Sequence, residues 1–133
     1  MKVVDASSII GFLTGSSDSR ALAPLLDDDL FAPDLMMAEV HRYLTGLERR
    51  QLASLTELQR CVEQLHTAPI EYLPVWPYAA QMWEWRHNIT AYDACYVALA
   101  ADLGCPLLTT DQRLARAANG LVPVITPATA RGC

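Results

Sequence analysis

Apolar positions along the chain fall into short runs of strand length separated by longer stretches with helical spacing. Lys2-Val3-Val4 is a brief apolar run that stops at Asp5. It reads as a first strand whose carboxyl end delivers Asp5, then Ser7 or Ser8, to a helix start. A helix over about Ser8 to Thr14 follows, then a Gly15–Ser19 loop and a short helix from Arg20 to Leu26. Leu30-Phe31-Ala32 reads as a second strand closed by Pro33. Asp34 then stands where it can cap a helix from about Leu35 to Glu48. That helix carries Met36, Val40, Tyr43, Leu44 and Leu47 on one stripe, with Glu39 at the stripe's edge. Leu52, Leu55, Leu58, Val62 and Leu65 give a second helix at the same spacing, so the two form a hairpin. Ile70 to Leu73 alternates as a strand ended by Pro74, and Pro77 opens a helix that Tyr78 to Arg86 continues.

From Ala91 to Ala101 the pattern changes. The segment is apolar on every side at helical length, apart from Asp93, and Gly104 supplies a C-cap. A helix without a polar face belongs in the interior, so this segment reads as the central helix of the domain. Thr90-x-x-Asp93 has capping-box spacing, which gives the acid a local role, and membership of a site gives it another. Pro106 to Thr109 is a buried-type strand stopping at Thr110-Asp111, Gln112 to Ala118 a helix, and Asn119-Gly120 a turn. A last strand, Val122 to Ile125, is interrupted by Pro123, which suits a sheet edge. Strands alternating with helices in this way predict a parallel sheet covered on both faces.

Composition narrows the picture. With 133 residues, 52% hydrophobic and 19% charged, the chain has the size and apolar content of one globular domain. No run approaches the ~18 apolar residues of a membrane span. The N-terminus carries no signal-peptide pattern, so the expected location is cytoplasmic, without a membrane partner. Cys61, Cys95, Cys105 and Cys133 make no CxxC pair, and His41, His66 and His87 make no HxxxH or HExxH spacing. Zinc sites and disulfide frameworks are therefore not expected, and the histidines read as surface or helix-end residues. Trp76, Trp83 and Trp85 are expected to pack rather than to form a base-stacking platform. The net charge of −5 argues against broad electrostatic capture of nucleic acid, an objection that weakens if acids cluster around metal ions.

The chemistry lies in those acids. Asp5 and Asp111 each follow an apolar strand, which puts both at one edge of the sheet. Asp93 opens the buried helix and Glu39 flanks the buried stripe of another. Each has an ordinary alternative: Asp5 and Asp111 as helix caps, Glu39 paired with Arg42 at i+3. Brought together, the four would repel unless a cation sat among them. Oxygen ligands without His or Cys suit Mg2+ or Mn2+. Such a cage is the standard site for attack of water on a phosphodiester. The hydroxyls of Ser7 and Thr109 can support it or merely cap helices.

The segments Val3-Val4-Asp5-Ala6-Ser7, Ala38-Glu39-Val40, Thr90-Ala91-Tyr92-Asp93-Ala94 and Leu107-Leu108-Thr109-Thr110-Asp111-Gln112-Arg113-Leu114 resemble, in order and spacing, the motifs of PIN-domain nucleases. The nearest resemblance is to the VapC-type ribonuclease toxins of toxin–antitoxin pairs. It implies a three-layer α/β/α sandwich around a mainly parallel sheet of four to five strands, as a single nuclease domain over residues 1–133. It implies endoribonuclease activity dependent on Mg2+ or Mn2+, with Asp5, Glu39, Asp93 and Asp111 as metal-binding and catalytic residues. Ser7, Thr109 and Arg113 are the supporting residues. RNA substrate, a homodimer and a hetero-oligomer with a small antitoxin are the implied partners, and Met36, Met37, Leu52 and Leu55 are a candidate antitoxin surface. One departure stands out, because many members have Asn three residues after the second acid and this chain has Arg42. A PIN-like RNA- or protein-binding module without catalysis is the alternative. A phosphoacceptor signalling domain fits less well, since Asp5 is followed by Ala6 and the only lysine is Lys2.

Overall fold

The computed structural model describes residues 1–132. Five parallel strands form one sheet in the order β3-β2-β1-β4-β5. The strands are β1 (Lys2–Val4), β2 (Leu30–Pro33), β3 (Ile70–Leu73), β4 (Leu107–Leu108) and β5 (Val124–Ile125). The central strand β1 pairs Lys2 with Leu30 on one side and Val3 with Leu107 on the other. β5 takes the edge, as Pro123 requires, and is shorter than the sequence suggests because Val122 lies outside it. The order reverses between β1 and β4: the chain leaves β1 toward β2 and leaves β4 toward β5. A crevice therefore opens at the carboxyl ends of these two neighbours, where open α/β sheets bind ligands.

The helices fall into two packed groups. Helices α1 (Ala6–Leu13), α2 (Ser19–Leu25), α3 (Leu35–Arg49) and α4 (Leu55–Thr67) pack on one another. A 3₁₀ turn (Trp76–Tyr78) and α5 (Ala79–Glu84) pack on α6 (Ala91–Leu103), which lies across β1, β2 and β4. The chain ends with α7 (Gln112–Ala118) and α8 (Pro127–Arg131). The central-helix reading of α6 holds, since every residue from Ala94 to Ala100 is buried and Gly104 ends the helix in the left-handed region at φ 63°. Full burial of side chains such as Val97 and Leu99 stabilises by about 1.5–3 kcal/mol each. No helix among the described residues is long and apolar enough to cross a membrane.

Several expectations are corrected. The first helix begins at Ala6 rather than Ser8, because Asp5 is its N-cap and accepts from the Ser8 backbone N–H. The hairpin's second helix begins at Leu55 because Ser54 caps it, which leaves Leu52 outside. Leu52 and Leu55 are 64% and 61% exposed, and the buried stripe of α4 runs through Leu58, Cys61 and Leu65 instead. On α3, Tyr43 faces solvent while Met36, Val40 and Leu44 are buried. Of the three tryptophans only Trp85 packs against the core; Trp76 and Trp83 are 78% and 69% exposed, on the outer side of the layer that covers α6. Arg86 stacks over the Trp83 ring at 4.3 Å. The C-terminal helix α8 was not expected, and it owes its start to Thr126 and Thr129, which cap one another reciprocally. Cys61, Cys95 and Cys105 are buried free thiols, and Cys133 lies outside the described residues.

Candidate functional site

Asp5 sits one residue beyond β1 and is 4% exposed. Such burial is tolerable for a carboxylate only with a full set of donors. The Ser8 backbone N–H and hydroxyl donate to its Oδ1 at 3.0 and 2.9 Å. The Ser7 hydroxyl, which donates to the same carboxylate, lies 2.8 and 2.7 Å from its two oxygens. Thr109 Oγ1 donates to Oδ2 at 2.7 Å, across 104 residues of chain. Burial pushes the Asp5 carboxyl above its ordinary value, and the donors from Thr109, Ser7 and Ser8 hold it back. Thr109 Oγ1 also accepts from the Asp111 N–H at 3.0 Å, and Ser7 Oγ from the Thr110 N–H at 3.2 Å. The ends of β1 and β4 are thus stitched together at the crevice by two hydroxyls.

Asp111 is the N-cap of α7, accepting from the Arg113 and Leu114 N–H groups at 2.9 and 3.2 Å. Its other oxygen lies 3.4 Å from the Arg113 guanidinium. The same guanidinium reaches Asp93 Oδ2 at 2.7 Å, so Arg113 bridges the two acids. Asp93 Oδ2 is buried and receives no well-aligned hydrogen bond beyond this charge contact. Thr90 does cap α6, its hydroxyl accepting from the Asp93 N–H at 3.3 Å. The Asp93 carboxylate, however, turns to Arg113 instead of back to the cap.

Glu39 projects from α3 and is half-buried. It does not pair with Arg42; its Oε1 accepts from the Tyr96 hydroxyl at 2.6 Å. Tyr96 is 2% exposed and stands three residues after Asp93 on α6. Burial raises the Glu39 carboxyl above 4.5, the Tyr96 bond lowers it, and the charges of Asp5 and Asp93 raise it further. Burial and the bond to Glu39 push the Tyr96 phenol far above its usual range, so it stays a donor. Sequence reasoning missed Tyr96. The only available signal was its i+3 spacing from Asp93, which puts both on one face of α6.

All four predicted acids line one cavity of about 640 Å³, with Ser7, Arg42, Tyr43, Tyr96, Thr110 and Arg113 also in its wall. Thr109 lies behind it, fully buried. Asp18, in the loop between α1 and α2, lines it too but is bridged by Arg131 at 3.2 Å. Four carboxylates remain against the two guanidiniums of Arg42 and Arg113. All-oxygen donors with excess negative charge fit a hard divalent cation. Among the described residues no three such side chains already form a closed ligand set. Arg113 holds Asp93 and Asp111, and Asp5 is held by its hydroxyl donors, so binding requires local side-chain rotation.

The PIN-domain family model matches residues 2–120. The chain is similar to ribonuclease VapC1 of Mycobacterium tuberculosis, 39% identical over 125 residues, spanning 90% of this chain and 91% of that one. It is 32% identical to ribonuclease VapC9 of the same species over 124 residues, spanning 93% and 96%. Its fold is similar to the crystal structure of FitAcB from Neisseria gonorrhoeae, with TM-score 0.71 and 20% identity, covering 96% of this chain and 99% of that one. The chain belongs to the PIN-domain family and, within it, to the VapC-type ribonucleases.

Proposed function

We propose that this protein is a metal-dependent endoribonuclease, the toxin of a toxin–antitoxin pair, acting as one nuclease domain. The observation that carries the reading is the convergence of Asp5, Glu39, Asp93 and Asp111, from four separate elements, on one cavity at the switch point of the sheet. In this reading Asp5, Glu39, Asp93 and Asp111 hold Mg2+ or Mn2+. The bound ion supplies the positive charge that activates water and offsets charge building on the phosphate. Ser7 and Thr109 fix the carboxylate of Asp5, and Tyr96 fixes that of Glu39. Arg113, 57% exposed at its side chain, and the exposed Arg42 contact the backbone phosphates of the RNA.

A small antitoxin and a second copy of the chain are the partners this reading assigns. Of the four candidate antitoxin contacts, Met36 is fully buried and Met37 packs against the core, which leaves Leu52 and Leu55 exposed. The phosphoacceptor alternative is disfavoured, because the only lysine, Lys2, is paired with Asp28 and does not line the cavity.

The test is incubation of purified protein with total RNA and Mn2+, beside Asp93→Asn. Cleavage by the wild type and loss of at least a hundredfold in the variant are expected, on the scale of removing a charge-stabilising group. A wild type that binds RNA without cutting it would support the catalytically inactive module, and full activity in Asp93→Asn would remove that acid from the site.

A further inference from the structure

His41 and His66 stand 25 residues apart in sequence, yet the structure sets their Nε2 atoms 3.1 Å apart across the α3–α4 hairpin. The rings are 5.2 Å apart between centroids and inclined by 32°. His41 is half-buried in the middle of α3, and His66 is exposed near the end of α4. His41 Nδ1 lies 2.7 Å from the Met37 carbonyl and donates to it, which leaves the Nε2 lone pair facing His66.

We propose that His41 and His66 form a two-nitrogen clamp for a borderline divalent ion of the Zn2+ or Cu2+ class, separate from the acid cavity. Two nitrogens bound at about 2.0–2.1 Å to one ion, in adjacent tetrahedral or square positions, lie about 2.9–3.4 Å apart. The observed separation falls within that span. The backbone carbonyl on His41 Nδ1 is the kind of outer partner that fixes ring orientation and tautomer at a metal-ligating histidine. The ion takes the lone pair of each Nε2, so His66 binds in the tautomer that carries its proton on Nδ1.

Glu48 and Glu63 line the groove beside His41 and lend negative charge. No third side chain completes a ligand set among the described residues, so water fills the remaining positions. Neither histidine lines the acid cavity. Although His41 is only two residues from Glu39 on α3, residues at i and i+2 face different ways. The two places also differ in chemistry: all oxygen at the cavity, imidazole at the hairpin. Mg2+ prefers the first and Cu2+ or Zn2+ the second. An ion held by both rings ties α3 to α4 and stabilises the hairpin.

The test uses the full chain with CuCl2 and ZnCl2, comparing wild type, His41→Gln, His66→Gln and Asp5→Asn, each checked for folding by circular dichroism. For wild type and Asp5→Asn, coupling of the Cu2+ electron-spin signal to imidazole nitrogen and a Zn2+-dependent rise in Tm of a few degrees are expected. Each histidine variant should bind at least tenfold more weakly and lose the Tm shift. MgCl2 in excess should displace neither ion. Equal binding in the histidine variants, or no binding by the wild type at millimolar metal, would overturn the clamp and leave the pair as a hydrogen bond alone.

Discussion

Thr90 and Asp93 show how two residues of one motif can carry separate roles. The threonine hydroxyl satisfies the first turn of α6, whereas the aspartate carboxylate faces the cavity and Arg113. Thr90→Ala should therefore cost about 1 kcal/mol of stability, read by denaturant or thermal melts. Asp93→Asn keeps the backbone N–H that Thr90 caps. It loses only a pair to an exposed arginine, worth roughly 0–1 kcal/mol, so it should melt close to the wild type while losing cleavage. Glu39 gives a signed pH effect. Its folded value is raised, so the folded state binds this proton more tightly than the unfolded one. Its contribution to stability is complete below the ordinary value of 4.5 and is lost as pH rises through the higher folded value. Glu39→Gln lacks that dependence and keeps an acceptor for Tyr96. In chelator, the Tm of the variant minus that of the wild type should grow as pH rises through this window; a flat difference would contradict the burial of Glu39.

At the scale of elements, α6 does two things. Its apolar surface anchors it across β1, β2 and β4, and its first two turns aim Asp93 and Tyr96 at the crevice. Tyr96 then reaches α3 and fixes Glu39, so the second acid is positioned by the helix that supplies the third. Tyr96→Phe should cost about 1.5 kcal/mol or more, as expected for a hydrogen bond to a charged group. It should also raise the Mn2+ concentration needed for half-maximal cleavage while leaving the fold intact by circular dichroism. An unchanged Mn2+ requirement would show that Glu39 needs no such support. The central burial of α6 was legible from a segment with no polar face. The partner of Tyr96 was not, because it depends on the rotation of α6 against a helix 57 residues earlier in the chain.

For the whole molecule, the reversal of strand order between β1 and β4 makes the crevice, and the helix starts of α1, α6 and α7 bring acids to it. Carboxylates are favoured near helix N-termini, which eases the crowding of four of them. Mn2+ should raise the Tm of the wild type, by up to about 2.7 kcal/mol of stabilisation at a hundredfold excess over its dissociation constant. Asp5→Asn should show a smaller rise, and an equal one would take Asp5 out of the metal-binding set.

The sequence by itself determined what local chemistry decides: strand and helix order, the caps at Asp5, Thr90 and Asp111, the interior place of α6 and the candidate acids. Each of these follows from backbone preference, side-chain period or a hydrogen bond within a few residues. Tertiary structure decided which side chains meet. The Thr109–Asp5 and Tyr96–Glu39 bonds, the Arg113 bridge, the His41–His66 pair and the exposure of Trp76 and Trp83 all depend on how elements far apart in sequence are set against one another. No local pattern encodes that, because packing energy is a property of the surfaces brought together and not of either segment alone.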